Sequence, residues 1–173
     1  MDPTKLLNDT FNGIPTPRCP VVPKIWFDAA ARLTGTEPRA IIQNPELGVR
    51  CIIDAASENG SDAARLFFIP GRNATENGEG QLVERDDNGR RIGVIDQSGG
   101  WATHLDHAED FSIENPCDIA FLHFRKHPAP RVQSVADARR IAVPDRAFWK
   151  TQCGELLNTA VRHATGRVAL IGD

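Results

Sequence analysis

No stretch of this 173-residue chain approaches the run of about 18 apolar residues that a membrane-spanning helix needs, so no such helix is expected. The start, M-D-P-T-K-L-L-N-D-T, lacks a basic segment followed by an apolar one, so no secretory leader is expected. Cys19, Cys51, Cys117 and Cys153 form no C-x-x-C pair, which excludes a local zinc or dithiol motif. Without a leader, the thiols are expected to stay free in a reducing cytoplasm. The sequons Asn8-Asp9-Thr10 and Asn73-Ala74-Thr75 would then never meet a glycosylating enzyme. Nucleotide-binding glycine loops (G-x-x-x-x-G-K-[ST], G-x-G-x-x-G) are absent, as are G-x-S-x-G, H-E-x-x-H and D/E-x-K. No internal repeat is present.

Charge is present, and it is uneven. Residues 1–124 carry 19 acids and 11 bases, whereas residues 125–173 carry 4 acids and 9 bases. A basic C-terminal quarter on an acidic body could meet an anionic partner, nucleic acid included, or could fold back and neutralise the rest. Specific DNA binders are usually basic overall; this chain is −3.

Five prolines between Pro3 and Pro23 predict an extended arm over 1–23. Residues 24–173 then read as a single α+β domain. Lys24–Leu33 predicts a helix ended by Gly35, with Ile25, Trp26, Ala29, Ala30 and Leu33 as its apolar face. A second short helix follows Thr36 and Pro38. Gly48–Ile53 and Arg65–Ile69 read as strands, and 71–80 as a polar loop. Gln81–Arg85 and Arg90–Asp96 alternate in polarity around Asp87-Asn88-Gly89, predicting an antiparallel hairpin with a type I′ turn. Asp118–Phe124 reads as a central strand. Ser134 caps a helix to about Ala142, with Asp137 at the capping-box position. From Pro144 to Ala164, Phe148, Trp149, Cys153, Leu156, Leu157, Ala160, Val161 and Ala164 recur at helical spacing, with Gly166 as the stop and a last strand over Val168–Ile171. The fold class is α+β: an antiparallel meander packed by helices, with a long amphipathic C-terminal helix.

Four of the five histidines, His104, His107, His123 and His127, fall within 24 residues, with Asp106, Glu109 and Asp110 among the first two. If 103–110 is helical, His104, His107 and Asp110 share a face and could hold a divalent metal such as zinc, with His123 completing the set from a neighbouring strand. Glu109 or Asp106 would then serve as general base for a metal-dependent hydrolase or nuclease. The competing reading is a solvated polar turn. Cys153 on an apolar stripe and Cys117 beside Asp118 make poor nucleophiles. Trp26 and Trp149 are expected in the core, whereas Trp101, after two glycines, is expected to be exposed and to anchor a partner. Arg72, Arg125 and Lys126 are the accompanying candidate binding residues.

No catalytic motif is complete. The sequence therefore points first to a non-catalytic, cytoplasmic interaction protein without a cofactor: a small regulator, inhibitor or adaptor of a bacterial or mobile-element kind. A metal-dependent hydrolase is the alternative. A protein partner is expected, nucleic acid is open through the basic C-terminal segment, and no membrane partner is expected.

Overall fold

The computed structural model describes residues 2–66, 73–98, 100–120, 122–126 and 132–172, with the side chain of His123 also outside the description. The chain is α+β and divides into two compact units: Met1–Pro70 with Cys153–Asp173, and Gly71–Gln152.

In the first unit, Pro3–Phe11 forms helix α1, capped by the Asp2 carboxylate accepting from Thr4 N at 3.0 Å. The first half of the predicted arm is therefore helical. Pro3 stands in the first turn, where a missing N–H costs nothing, and Leu6 and Leu7 are buried. Helix α2 spans Phe27–Thr34 and ends at Gly35 in the left-handed region, three residues later than Lys24 would have started it. Helix α3 is Pro38–Gln43.

The predicted strand over 48–53 is instead the middle of helix α4, Pro45–Glu58. Asn44 caps it through Leu47 N at 3.2 Å, and Pro45 occupies the first turn. Val49, Ile52, Ile53 and Ala56 recur at 3-4-7 spacing and are buried, so the local apolar run is one side of a helix. Ala30 and Ala31 of α2, both fully buried, let α2 and α4 approach closely.

Strand β1, Ala63–Leu66, pairs in parallel with β7, Ala169–Gly172. Leu7, Ala63 and Ala169 form a small core with Val22 and Ile171 against it. Residues 67–69 of the predicted strand lie outside the described residues. Arg18 fastens the proline-rich stretch by a two-pronged pair to Asp62 (2.6 Å each), and Asp62 also accepts from Val21 N at 2.7 Å. Hydrogen bonding from Arg18 pulls the Asp62 carboxyl down to about 2.

The second unit holds a five-stranded sheet in the order β2-β3-β4-β5-β6: Asn73–Glu76, Leu82–Arg85, Arg91–Ile95, Thr103–Leu105 and Arg125–Lys126. The first four strands are an antiparallel meander and β6 joins in parallel. Residues 73–76, expected in a loop, are thus the edge strand.

The predicted hairpin is β3–β4, but its turn is not type I′. Trp101 is the sole non-glycine with positive φ among the described residues, so Asn88 keeps φ negative and Gly89 (φ 80°) alone supplies the left-handed step. Gly89 N donates to Asp86 O at 2.9 Å, and the ladder shifts register between Glu84 and Arg85. This is a type I turn closed by a glycine bulge. Three successive turns open with the same device. Asn77, Asp86 and Asp96 each accept, through Oδ1, a backbone N–H two residues on, at 2.9–3.0 Å.

The predicted strand over 118–124 is also overturned. Asn115 and Pro116 start helix α5, Pro116–Ala120, and a 3₁₀ turn over Leu122–Phe124 leads into β6. Ser134 caps helix α6, Val135–Ala138, accepting from Asp137 N as predicted, while Asp137 Oδ2 accepts from Ser134 Oγ and Gln133 N; the helix stops four residues short. Helix α7 spans Arg146–Ala164 and ends before Gly166, also as predicted. Its apolar stripe is not uniformly covered: Cys153, Ala160 and Ala164 are buried, whereas Trp149, Leu157 and Val161 are exposed.

Candidate functional site

The chemistry-bearing groups of the second unit sit on its sheet. In register, Glu84 of β3 lies opposite Gly93 of β4, which lies opposite Leu105 of β5; Thr103 of β5 pairs with Arg125 of β6. Glu84, Gly93, Thr103 and Arg125 therefore share one face, since side chains alternate along each strand. A Cβ at position 93 would fall 2.3 Å from His104 O and 2.8 Å from Thr103 Cγ2. The glycine leaves a trough that the Glu84 side chain crosses. Glu84 accepts from Thr103 Oγ1 and, at 2.7 Å, from Arg125. Strands lie about 4.8 Å apart, so the Glu84–Arg125 pair bridges roughly 14 Å from β3 to β6.

Arg125 also donates to Asp118 of α5, whose other oxygen accepts from Ser112 N at 2.8 Å. The side chains of Glu84, Asp118 and Arg125 are 2%, 3% and 13% exposed. Two carboxylates and one guanidinium are thus buried together, and Arg125 Nε has no hydrogen-bond partner among the described residues. Arg125, expected to meet a partner, is spent inside the fold; its neighbour Lys126 is exposed on β6.

The histidine row does not form. Residues 103–105 are strand and 108–110 a 3₁₀ turn, so His104, His107 and Asp110 share no helical face. Thr103, buried on the opposite face, supplies the reason: alternation along β5 turns His104 outward. His107 is exposed at the start of the 3₁₀ turn and Glu109 is exposed within it. Asp106 pairs with Arg91 at 2.8 Å. Asp110 pairs with Arg90 at 2.6 Å, with its second oxygen buried and unpartnered among the described residues. No group of three His, Cys, Asp or Glu among the described residues converges as a metal would require. Arg72 and the His123 side chain lie outside the described residues.

His104 does line an open depression of about 390 Å³ with Gln81, Val94, Ile95, Asp96, Gln97 and Ser98. Its Nε2 is 3.5 Å from Asp96 Oδ2, while Ser98 Oγ donates to Asp96 Oδ1 at 2.8 Å. Asp96 stands between hydroxyl and imidazole, which is the wrong order for a nucleophile–base–acid relay. Trp101 closes the loop after Asp96 with φ 63° and is half-buried rather than exposed. Trp26 and Trp149, expected in the core, are 38% and 39% exposed. Burial raises the thiol pKa of Cys153 and, against the opposing pull of Arg125, that of Cys117, so neither is a ready nucleophile.

Sequence reasoning passed over a second cluster, in the first unit. Asp54 of α4 meets His163 Nε2 at 2.8 Å and Arg167 at 2.7 Å. Burial works against its carboxylate, but the bonds from Arg167 and His163 hold it below the ordinary range. The signal was faint: His163 and Arg167 stand four apart at the end of a helix, and their partner is 109 positions away from His163.

The most unusual surface lies between Val132 and Gln152. No residue of this stretch is buried, yet Val132, Val135, Val143 and Trp149 are exposed at 45%, 71%, 78% and 39%. The stretch is nonetheless tied down. Ala142 N donates to Ile113 O at 2.8 Å, and Arg140 pairs with Glu114 and Asp137 at 2.6 Å each. Comparison of the chain with protein-family models, curated proteins and solved structures gives no match. No helix among the described residues is long and apolar enough to cross a membrane.

Proposed function

We propose that the chain is a non-catalytic interaction protein, of the regulator, inhibitor or adaptor kind, that holds a protein partner along residues 132–152. One observation carries this reading: an anchored surface stretch leaves four large apolar side chains 39–78% exposed and buries none of its own residues. Single exposed apolar side chains are ordinary; four on one tied-down stretch, interspersed with polar and charged groups, are grounds for a partner site. Full burial of an exposed side chain such as Val is worth about 1.5–3 kcal/mol, and Val135, Val143 and Trp149 are 71%, 78% and 39% exposed, so together they offer roughly 3–6 kcal/mol. That is close to the low end of the entropic cost of association, about 4–15 kcal/mol, so these three alone support only a transient complex.

Nucleic acid is the weaker reading. A duplex-binding protein typically neutralises about 6–10 phosphates, and Val135 and Val143 have nothing to meet on a phosphate backbone.

A photo-crosslinking amino acid at Val143, introduced in the source cells, tests the proposal. A discrete protein adduct is expected, and it should weaken in a Trp149→Ala background. The same probe at Glu79, exposed in the β2–β3 turn, should give none. Absence of an adduct at 143, or equal adducts at both positions, would sink the reading.

A further inference from the structure

The free charges of the same stretch narrow the partner's chemistry. Residues 132–152 contain two acids, Asp137 and Asp145, and four bases, Arg139, Arg140, Arg146 and Lys150. Both acids are spent internally: Asp137 on Arg140 and the Ser134 cap, Asp145 on Phe148 N at 2.8 Å. Arg140 is spent as well, between Glu114 and Asp137. Arg139, Arg146 and Lys150 are exposed and have no ion pair among the described residues.

Each lies near an uncovered apolar group. Arg139 ends α6 four positions after Val135, so the two share a face. On α7, Trp149 and Lys150 lie three and four positions after Arg146, again on one face. The arrangement alternates apolar and cationic groups; Asp137 is paired with Arg140, and Asp145, though exposed, is held as the cap of α7, so cations are in excess.

We infer, building on the function proposed above, that the partner presents an acidic segment with interspersed apolar residues, matched to this apolar–cationic surface. Complementary charge would speed encounter and set register, and the apolar groups would supply the area buried. Charge reversal at a contact rim acts mainly on association rate and salt dependence. The inference therefore predicts a strong ionic-strength effect that purely apolar docking lacks.

The test uses the full chain with the crosslinker at Val143. In the triple variant Arg139→Glu/Arg146→Glu/Lys150→Glu, adduct yield should fall at least tenfold while the thermal midpoint stays put, because none of the three side chains has an ion pair among the described residues to lose. Mass spectrometry of the adduct from the native sequence should place the crosslink on a peptide with net negative charge. An adduct that survives the triple reversal overturns the acidic-partner inference but leaves the interaction function standing. So does a crosslink to a neutral or basic peptide or to a second copy of this chain, whereas a crosslink only to nucleic acid or lipid overturns both. No adduct from the native sequence overturns both.

Discussion

Replacing Arg125 with methionine should be among the most damaging single changes available to the second unit. Arg125 pairs with both Glu84 and Asp118, whose side chains are 2% and 3% exposed. Its removal takes a shared guanidinium from two carboxylates held out of water, one beside Thr103 Oγ1 and the other beside Ser112 N. Breaking a buried pair from one side costs about 3–5 kcal/mol, because the surviving charge keeps its desolvation penalty. For a chain of this length each kcal/mol moves the midpoint by about 2–4 °C, so Arg125→Met should lower it by roughly 6–20 °C. The two units can be read separately. In a Trp26→Phe background the remaining tryptophans, Trp101 and Trp149, both belong to the second unit, and their emission through a urea titration gives its midpoint and slope. A companion variant, Glu84→Leu/Asp118→Leu/Arg125→Met, removes all three charges and should recover most of the loss, since apolar replacement of a complete buried ionic group is often neutral or stabilising. A loss below about 1 kcal/mol in Arg125→Met would refute the argument, for it would mean that water reaches the cluster.

Three further outcomes follow from the geometry. Gly93→Ala should cost about 2 kcal/mol or more, because the new methyl meets His104 O and Thr103 Cγ2, whereas Gly78→Ala, with nothing within 4 Å, should be near neutral; paired thermal melts decide it. Gly89→Ala should cost about 1–2 kcal/mol for its left-handed φ, and Asn88→Ala close to nothing, the reverse of what a type I′ turn would give at position 88. Asp62 has a folded pKa of about 2, below its unfolded value near 3.9, so its contribution is fully present above about pH 4 and is lost as pH falls toward 2. With Arg18 more than half exposed, this amounts to about 1–2 kcal/mol, and urea midpoints measured across that window should lose the step in Arg18→Ala.

The sequence was most legible where local chemistry decides structure. The β3–β4 hairpin, the Ser134 cap, the stops at Gly35 and Gly166 and the strand at β7 all rest on a few neighbouring residues. It misled where a short apolar run fits two periods. Gly48–Ile53 reads as a strand only if Asn44-Pro45 is overlooked as a helix start, and Asp118–Phe124 only if Asn115-Pro116 is. The polar core was invisible for a different reason. Glu84 is one charged letter in a strand, and nothing nearby says that Gly93, Thr103 and Arg125 will be brought beside it by register. The histidines misled because their spacing carries meaning only on a helix. On β5 one residue of register, with Thr103 inward, turns His104 outward.

The pairing of β1 with β7 has a consequence for the order in which the molecule assembles. Each hairpin of the meander closes through a turn of a few residues, whereas residue 63 must wait for residue 169. The difference is four to five doublings of loop length, about 3 kcal/mol of closure entropy. As the chain leaves the ribosome, the second unit can complete its sheet while β1 is still without its partner. Ala63 and Leu7 are sealed only when the last strand arrives, so chains halted before residue 169 should carry a finished sheet beside an open helical unit, and a protease would find the break there first.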